Sequence, residues 1–447
     1  MQKKEVVKVK IKDLGVRGEG IGVHERMTYF VPGALPGEIV LAKPKEYKKK
    51  YVKAELHSFV VKSPSRQDPP CPVFHRCGGC QIMHLNYAGQ LAMKRKRVQD
   101  NLERIGKIHD VIASPCIASE KNLQYRNKIQ LPATKNKDEM PMLGLYAFHT
   151  HEIIEVKHCR IHCAAGEKIL RCIPDLLKEF EITPYEEKVN EGYLRYILIR
   201  TAMSSGGILL AFITSEPLHL KLQDFASKLS RIFPEIKGIL HYHNSRRDNV
   251  IVSGKETVLK GSGFLQEKFC GLLFQVSMRS FFQVNPDIAQ KMLAEAIASA
   301  GITENDMVLD AYCGVGIFTL LAAKKAKKSF GIEANQTAVS DAEKNAVLNH
   351  ITNAEFTCTL AEEGMRHMDH IDILFLNPPR KGCHEDVITE TLRLKPRKIL
   401  YMSCNSASLA RDLAKLRKYY VIEYVQPYDM FPQTMHVETL ASLSFRT

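Results

Sequence analysis

From residue 281 to the C terminus, short apolar segments alternate with longer amphipathic ones. The apolar segments are MVLDAYC, KKSFGIEA, AEFTCTLA, IDILFLN and KILYMSC. Asn285 and Pro286 supply an N-cap and a first-turn proline for a helix over PDIAQKMLAEAIASAG. Strands that alternate with helices form a parallel sheet with helices on both faces. This region is therefore predicted to be a doubly wound α/β domain.

A glycine-rich turn joins the first of these strands to the next helix. Gly314 and Gly316 lie in this turn, and Glu333 follows Gly314 by nineteen residues, at the end of the next predicted strand. Glycines at such a turn let the backbone approach a nucleotide, and the acid binds ribose hydroxyls. The turn has no phosphate-binding loop with its lysine and only part of the dinucleotide fingerprint. We therefore predict a nucleoside without phosphate as the ligand, namely S-adenosylmethionine.

Two further strand ends carry groups suited to chemistry on a pyrimidine. Cys404 ends the segment KILYMSC, and Glu438 begins a strand in HVETLASLSF. A thiolate that adds to C6 makes C5 of the ring nucleophilic enough to accept a methyl group, and a base must then remove the C5 proton. We assign Cys404 as the nucleophile and Glu438 as the base. Cys313, in the glycine turn, and Cys383, after the segment NPPR, are rival cysteines.

The first 60 residues consist of short alternating segments separated by Gly and Pro. This pattern predicts a small barrel of about five strands. The stretch contains 13 Lys and Arg against 7 Asp and Glu, within a chain whose net charge is +14. A basic module of this kind favours phosphate-bearing partners such as RNA and disfavours acidic ones. The alternative is a solvated basic face without a ligand.

Cysteines are concentrated after a proline-marked linker. Cys71, Cys77 and Cys80 have five and two residues between them. A fourth ligand is available from Cys159 or Cys163 in VKHCRIHC. Four thiolates suit either zinc or an iron–sulfur cluster, and the spacing does not choose between them.

The sequence contains neither a predicted membrane span nor a predicted signal peptide, and this indicates the cellular location. No stretch approaches the roughly 18 unbroken apolar residues of a membrane span, and the start MQKKEVVKVK has no apolar signal-peptide core. We expect a monomeric, cytoplasmic protein whose cysteines stay reduced.

Six motifs occur in the order typical of RNA uracil-5-methyltransferases: FFQVN at 281–285, LDAYCGVGIFTL, the strand-end glutamate, NPPRKG, SCN and HVETL. The chain resembles this family over nearly its whole length, and its bacterial 23S ribosomal RNA branch closely. The resemblance implies a doubly wound Rossmann-like, S-adenosylmethionine-dependent methyltransferase domain at 281–447. It also implies an N-terminal OB-type barrel, a TRAM domain, at 1–60, and a central α+β iron–sulfur and RNA-binding domain at 61–280. In the family the helix after the cluster packs with the catalytic domain, so residues 88–116 are expected to belong with that domain instead of the central one.

The resemblance also carries roles to single residues. The nucleophile and the proton acceptor of the family correspond to Cys404 and Glu438, in agreement with the chemical argument. Beside Gly314 of the turn, the family's contacts to the cofactor or the base pocket carry over to Gln283, Tyr312, Glu333 and Asn377. A four-iron four-sulfur (4Fe-4S) cluster is implied, with the ligands Cys71, Cys77, Cys80 and Cys159.

One position departs from the family, which has Asp where this chain has Asn377. An amide oxygen can accept the hydrogen bond from uracil N3–H, whereas the amide N–H can donate to cytosine N3. We expect uridine in 23S rRNA as the substrate. The alternatives are tRNA, methylation of cytosine at C5, and a relative that binds RNA without catalysis. The segment NPPR also resembles the NPPY motif of amino-group methyltransferases, which need no nucleophilic cysteine.

Overall fold

The computed structural model describes residues 6–148 and 150–446. The first strands are β1 (Val7–Leu14), β2 (Gly20–His24), β3 (Met27–Val31), β4 (Ile39–Tyr47) and β5 (Tyr51–Val61). They close into a barrel in the order β1-β2-β3-β5-β4, around alternate side chains such as Val9, Ile11 and Val40. The predicted barrel of five strands is confirmed. The first five residues of its predicted range lie outside the described residues.

The middle of the chain builds a mixed sheet. Its elements are α1 (Tyr87–Arg104), β6 (Lys128–Lys135), β7 (Pro141–Tyr146), β8 (Ile153–Glu155), α2 (Ala164–Glu179), β9 (Leu194–Thr201), β10 (Ile208–Thr214), α3 (Leu220–Ile232), β11 (Ile236–His243), β12 (Glu256–Gly261), β13 (Phe264–Phe269) and β14 (Leu272–Ser277). Seven strands pair in the order β12-β11-β10-β9-β6-β7-β8, and β13 pairs with β14 as a hairpin. Every residue of β10 is buried, as expected for a strand whose first six residues are all apolar.

The last third of the chain forms the predicted doubly wound domain. Its elements are α4 (Pro286–Ala300), β15 (Met307–Asp310), α5 (Ile317–Ala323), β16 (Lys328–Glu333), α6 (Gln336–Leu348), β17 (Ala354–Cys358), α7 (Ala361–Arg366), β18 (Ile373–Leu376), α8 (Glu385–Leu394), β19 (Lys398–Ser403), α9 (Ser406–Leu416), β20 (Tyr420–Tyr428) and β21 (Glu438–Phe445). The sheet order is β17-β16-β15-β18-β19-β21-β20. Strands β15 to β19 are parallel, whereas β21 runs antiparallel to both β19 and β20. The strand alternation predicted the parallel part, and the antiparallel edge is a finding of the structure.

Two details refine the local predictions. Asn285 and Pro286 begin α4 as expected, but the Asn285 side chain does not cap the helix. Its amide donates instead to the hydroxyl of Ser119 at 3.0 Å. Val98 and Leu102 of α1 are buried in the same core cluster as the strands of the doubly wound sheet.

The described chain forms two compact units. The first contains the barrel and the residues up to Lys94, together with Leu145–Ile154 and Phe431–His436. The second contains the rest, including the doubly wound sheet. These limits differ from the predicted division at 60 and 280, which stays a prediction of functional regions. Among the described residues, no helix has the length and apolar character to cross a membrane.

Candidate active site

Strands β19 and β21 bring the predicted nucleophile and base to one edge of the sheet. They pair in antiparallel register with Ser403 opposite Thr439. Cys404 directly follows the first of these residues, and Glu438 directly precedes the second, so the two functional groups end neighbouring strands at the same edge. Cys404 is half-buried and Glu438 is buried. Burial and the nearby charge of Glu438 raise the pKa of the Cys404 thiol, which reflects how close the two side chains lie.

Glu438 lies in surroundings that oppose its ionisation. Burial raises the pKa of its carboxyl group to about 8, although the positive charge of Arg380 acts in the opposite direction. A carboxylate whose pKa lies near neutrality is well suited to accept a proton in one step and release it in the next. The geometry and the pKa of Glu438 therefore both fit a general base.

Arg380 lies beside both of these groups, and the sequence analysis gave it no role. Its guanidinium group donates a hydrogen bond to the Cys404 thiol, and its charge lowers the pKa of Cys404 against the effect of burial. A cation at this place favours the thiolate, which is the reactive form of cysteine. Its position in NPPRKG, three residues after Asn377, was the signal in the sequence that could have identified it.

Hydrogen bonds from α9 and from its N-cap residue, Asn405, fix the backbone of the loop that carries Arg380. The side-chain amide of Asn405 donates to the Arg380 carbonyl at 2.9 Å, and the Ser408 hydroxyl donates to the same carbonyl at 3.3 Å. Arg411 donates to the carbonyl of Lys381 at 2.9 Å. Because Asn405 follows Cys404 directly, the loop and the nucleophile are held by the same turn at the start of α9.

A buried carboxylate completes this anchor. Asp412 of α9 is fully buried and accepts hydrogen bonds from the Tyr401 hydroxyl at 2.7 Å and from the backbone N–H of Cys383 at 2.9 Å. Arg411 donates to it from Nε at 2.8 Å. No local sequence pattern indicated this role, because the partners come from β19 and from the loop after β18.

The two rival cysteines have surroundings that suppress reactivity. Cys313 and Cys383 are both buried. Burial raises the pKa of the Cys313 thiol well above its usual value and that of Cys383 to about 12. Cys383 also donates to the Tyr401 hydroxyl at 3.5 Å. Since the thiolate is the nucleophile, Cys404 is the best placed of the three.

The glycine turn has a backbone conformation typical of nucleotide-binding turns. Gly314 and Gly316 both adopt left-handed conformations, with φ of 54° and 84°. The N–H of Gly314 donates to the Glu333 carboxylate at 3.1 Å, and the N–H of Asn335 donates to its other oxygen at 2.9 Å. A Cβ atom built on Gly314 would meet no atom within 4 Å, so the space above the turn is open. The turn and the oriented carboxylate together fit a ribose and its hydroxyl groups.

Below the turn, Asp310 at the end of β15 adds a buried carboxyl group that the sequence analysis did not identify. Its side chain is buried and accepts a hydrogen bond from Thr319 at 3.1 Å, while its other oxygen has no partner among the described residues. Burial raises the pKa of this carboxyl group to about 7. A carboxyl oxygen without a partner beside an open turn fits a cationic ligand, and S-adenosylmethionine carries a sulfonium and an ammonium group.

Three further residues are predicted to contact the cofactor or the target base, namely Tyr312, Asn377 and Gln283. Tyr312 is half-buried beside Cys383, and Asn377 follows β18 directly. The backbone carbonyl of Gln283 accepts a hydrogen bond from the Asn127 side chain at 3.1 Å. Gln283 itself is half-buried. Their contacts with a cofactor or a base stay predictions.

The first three predicted cluster ligands belong to the first compact unit. The pKa of the Cys77 thiol is raised, mainly by burial and to a smaller extent by the nearby thiol of Cys71. The N–H of Gly79 donates to the sulfur of Cys77 at 3.3 Å. Nearby thiols, one of them accepting a hydrogen bond from a backbone N–H, fit the donor set of an iron–sulfur cluster. A zinc ion would accept the same thiols.

Cys159 belongs to the second unit, in a loop that a buried acid holds in place. The carboxylate of Glu167 accepts hydrogen bonds from the Cys159 N–H at 3.1 Å and from the His162 ring at 2.7 Å. The ligand atoms of these three residues lie within 4.8 Å of one another. A cavity of about 310 Å³ opens beside them. The assignment of all four cysteines to one cluster stays a prediction.

Family comparison agrees with this geometry. The model of the family described as tRNA (uracil-5-)-methyltransferase matches residues 86–445. This chain belongs to that family. The TRAM domain model matches residues 2–57, the range of the barrel. The protein is therefore an S-adenosylmethionine-dependent RNA methyltransferase with a TRAM domain.

Relatives match the chain from end to end. An uncharacterized RNA methyltransferase of Halalkalibacterium halodurans is 37% identical over 100% of this chain and 98% of its own length. One from Bacillus cereus is 37% identical over 99% and 98%. The structure of the Pyrococcus abyssi tRNA (uracil-54, C5)-methyltransferase in complex with S-adenosyl-L-homocysteine has a TM-score of 0.79 and 26% identity, and it covers 98% of this chain and 100% of that one.

Proposed function

We propose that this protein methylates C5 of a uridine in 23S rRNA, with Cys404 as the nucleophile and Glu438 as the base. The observation that carries the proposal is the pairing of β19 with β21, which places this thiol and this carboxylate at the edge of the sheet where the glycine turn also lies. A methyltransferase that acts on an amino group needs no such pair. Gln283, Tyr312, Gly314, Glu333 and Asn377 are proposed to contact the cofactor or the target base.

The proposed reaction begins at Cys404. Its thiolate adds to C6 of the uracil ring, and the electron pair of the C5–C6 double bond becomes an enolate over C5 and O4. S-adenosylmethionine, when bound, supplies an electrophilic methyl group for C5 and is left as S-adenosylhomocysteine. Glu438 then takes the C5 proton, the double bond forms again, and the thiolate of Cys404 leaves C6. Arg380 favours the thiolate at the start and at the end of this cycle.

We propose 23S rRNA as the substrate because the basic barrel and the cysteine cluster resemble the ribosomal branch of the family. A second candidate is tRNA, which is favoured by the full-length likeness to the Pyrococcus abyssi tRNA enzyme. A monomeric state and a cytoplasmic location remain predictions from the sequence.

The test is transfer of labelled methyl groups from S-adenosylmethionine to unmodified 23S rRNA and to unmodified tRNA, followed by nucleoside analysis. We expect 5-methyluridine in 23S rRNA and no incorporation with Cys404→Ala. Label in tRNA alone would replace the ribosomal substrate, and 5-methylcytidine would show that Asn377 selects cytosine. Normal incorporation by Cys404→Ala would contradict covalent catalysis.

For the cysteines, we propose a structural 4Fe-4S cluster held by Cys71, Cys77, Cys80 and Cys159. The proposed methyl transfer involves no change of oxidation state, so the cluster has no electron to supply. Cys77→Ala should lose iron, inorganic sulfide and RNA affinity, whereas Cys172→Ala in α2 should keep all three. A Cys77→Ala protein with its fold and full RNA affinity would contradict a structural role.

A further inference from the structure

The segment Phe431–His436 has an unusual place in the fold. Met430 before it and Val437 after it belong to the second compact unit, whereas the segment itself belongs to the first. The chain therefore enters the first unit and leaves it again within six residues. Glu438 is separated from this segment by Val437 alone.

Gln433 is the centre of the segment. Its backbone carbonyl accepts hydrogen bonds from the N–H groups of Gln81 and Ile82 at 3.1 and 3.2 Å. Gln90 accepts from the Gln433 N–H at 3.0 Å and donates to its side-chain oxygen at 2.9 Å. Gln433 is buried and has a φ of 71°, a left-handed conformation that residues with a side chain rarely adopt. Such a conformation persists where surrounding bonds determine it, as these four do.

Further bonds fix both ends of the segment. The Gln81 side-chain oxygen accepts from the Met435 N–H at 3.3 Å. The buried Lys94 donates to the Phe431 carbonyl at 3.0 Å, and the Thr434 hydroxyl donates to the same carbonyl at 2.8 Å. Side chains of α1 and of the residue after Cys80 thus hold this segment along its length.

The same glutamine also holds the cysteine loop. Gln81 directly follows Cys80, and its amide donates to the Gly78 carbonyl at 2.9 Å. Gly78 lies between Cys77 and Cys80. One side chain therefore bonds both to the loop with two of the predicted cluster ligands and to the segment that precedes the predicted base.

We propose that Gln81 and Gln90 are positioning residues for Glu438, acting through the segment Phe431–His436. The inference rests on the proposed function, in which Glu438 removes the C5 proton. Strand pairing fixes Thr439 directly after Glu438, and the bonds described above fix the segment that ends two residues before Glu438. Removal of a proton from carbon needs the base within hydrogen-bond reach, so a small displacement slows this step while leaving the earlier thiol addition unaffected.

The test uses Gln90→Ala in the full-length protein with its metal content intact, because Gln90 does not contact the cysteine loop. Gln67→Ala is the matched control, since the Gln67 amide also donates to a backbone carbonyl of the first unit, that of Met83 at 2.9 Å. We expect release of tritium from RNA with 5-tritiated uridine to slow at least tenfold in Gln90→Ala. Formation of the covalent RNA adduct should change less than twofold, so that a methylated adduct stable to denaturant accumulates. Gln67→Ala should behave as the wild type.

Hydrogen exchange supplies a readout that does not depend on activity. In Gln90→Ala, backbone exchange should accelerate both in Phe431–His436 and in the following residues through Glu438. Gln90→Met keeps the length of this buried side chain without its hydrogen bonds, and it should show the same faster exchange and the same slower tritium release. It also serves where Gln90→Ala does not fold.

Two outcomes would overturn the proposal. In one, faster exchange stays within Phe431–His436 and tritium release is unchanged. In the other, adduct formation and tritium release decline together, which indicates a merely structural role. A third outcome separates this proposal from the proposed function. If the wild type forms no adduct with any RNA while Gln90→Ala still accelerates exchange through Glu438, the proposed function fails, but the connection between Gln90 and Glu438 is supported.

Discussion

Glu438 is a carboxyl group whose burial favours the form that cannot act as a base. With its pKa raised to about 8, most of it is protonated at pH 7 and ionised at pH 9. The burial of Cys404 raises the pKa of its thiol in the same direction. Both proposed catalytic groups therefore gain their active form as the pH rises.

We predict that tritium release from C5 of the covalent adduct, once that adduct has formed, rises about tenfold between pH 7 and pH 9 and then levels off, as the ionised fraction of Glu438 does. The measurement is the rate of release with saturating RNA and S-adenosylmethionine across this range. A rate that does not change with pH would show that Glu438 is not the base or that its carboxyl group is ionised throughout.

The same burial has a consequence for stability. A carboxyl group whose pKa is raised on folding stabilises the protein while protonated, and this contribution is lost as the pH rises from about 4.5 towards 8. We predict that Glu438→Gln raises the free energy of unfolding at pH 9 by about 1–3 kcal/mol, because it removes a buried charge. At pH 4 the two proteins should unfold alike. Thermal unfolding at both pH values checks this prediction.

Asn377 tests how the target base is selected. An aspartate accepts the hydrogen bond from uracil N3–H as a charged group, and a charge-assisted bond is stronger than a neutral one by about 1–2 kcal/mol. Asn377→Asp should therefore raise kcat/KM on uridine in RNA about 5–30-fold. Loss of activity in this variant would instead indicate that the amide has a role a carboxylate cannot fill.

At the scale of elements, α9 holds the loop that carries Arg380 through hydrogen bonds. Its buried residue Asp412 accepts some of these bonds. Asp412→Ala leaves the donors of Tyr401 and Cys383 without a partner, and each unsatisfied buried group costs about 1–3 kcal/mol. We predict lower stability and slower formation of the covalent adduct, since Arg380 moves away from the thiol of Cys404.

The matched control for that variant is Asp386→Ala. Asp386 pairs with Arg366 at 2.8 Å, but both side chains are exposed. Exposed ion pairs contribute about 0–1 kcal/mol, so this variant should keep its stability and its rate. Thermal unfolding and the rate of adduct formation measure both variants. If Asp386→Ala lost as much stability and rate as Asp412→Ala, Asp412 would have no special role in holding the loop.

At the scale of the whole molecule, the excess of 63 Lys and Arg over 49 Asp and Glu predicts RNA binding that depends on salt. Lys49 and Lys50 lie exposed in the turn between β4 and β5. If both contact phosphates, Lys49→Ala with Lys50→Ala should reduce the slope of log affinity against log salt by about 1.5. Titration of RNA at several salt concentrations measures this slope.

The control for this prediction changes the same number of charges elsewhere. Lys324 and Lys325 are exposed after α5, which starts at the glycine turn and ends at the opposite edge of the sheet. Replacing both by Ala should leave the slope unchanged. A barrel variant with an unchanged slope would indicate that this turn of the barrel does not contact RNA.

Much of this protein follows from its sequence, because the informative signals are local. Strand–helix alternation, glycines at a tight turn and the barrel's short segments reflect the preferences of neighbouring residues. Methylation of a pyrimidine at C5 needs a thiol and a base, and this chemical requirement selects Cys404 and Glu438 from the sequence.

Other features depend on which distant segments pair, and local patterns do not encode this. The antiparallel insertion of β21 between β19 and β20 decides that Cys404 and Glu438 end at the same edge. The role of Asp412, the charge of Arg380 beside the thiol and the membership of Phe431–His436 in the first unit arise from contacts between residues far apart in the chain. The sequence thus determined the elements and the chemical groups, whereas the tertiary structure decided which groups meet, because such contacts form only when the packed sheet brings remote strand ends together.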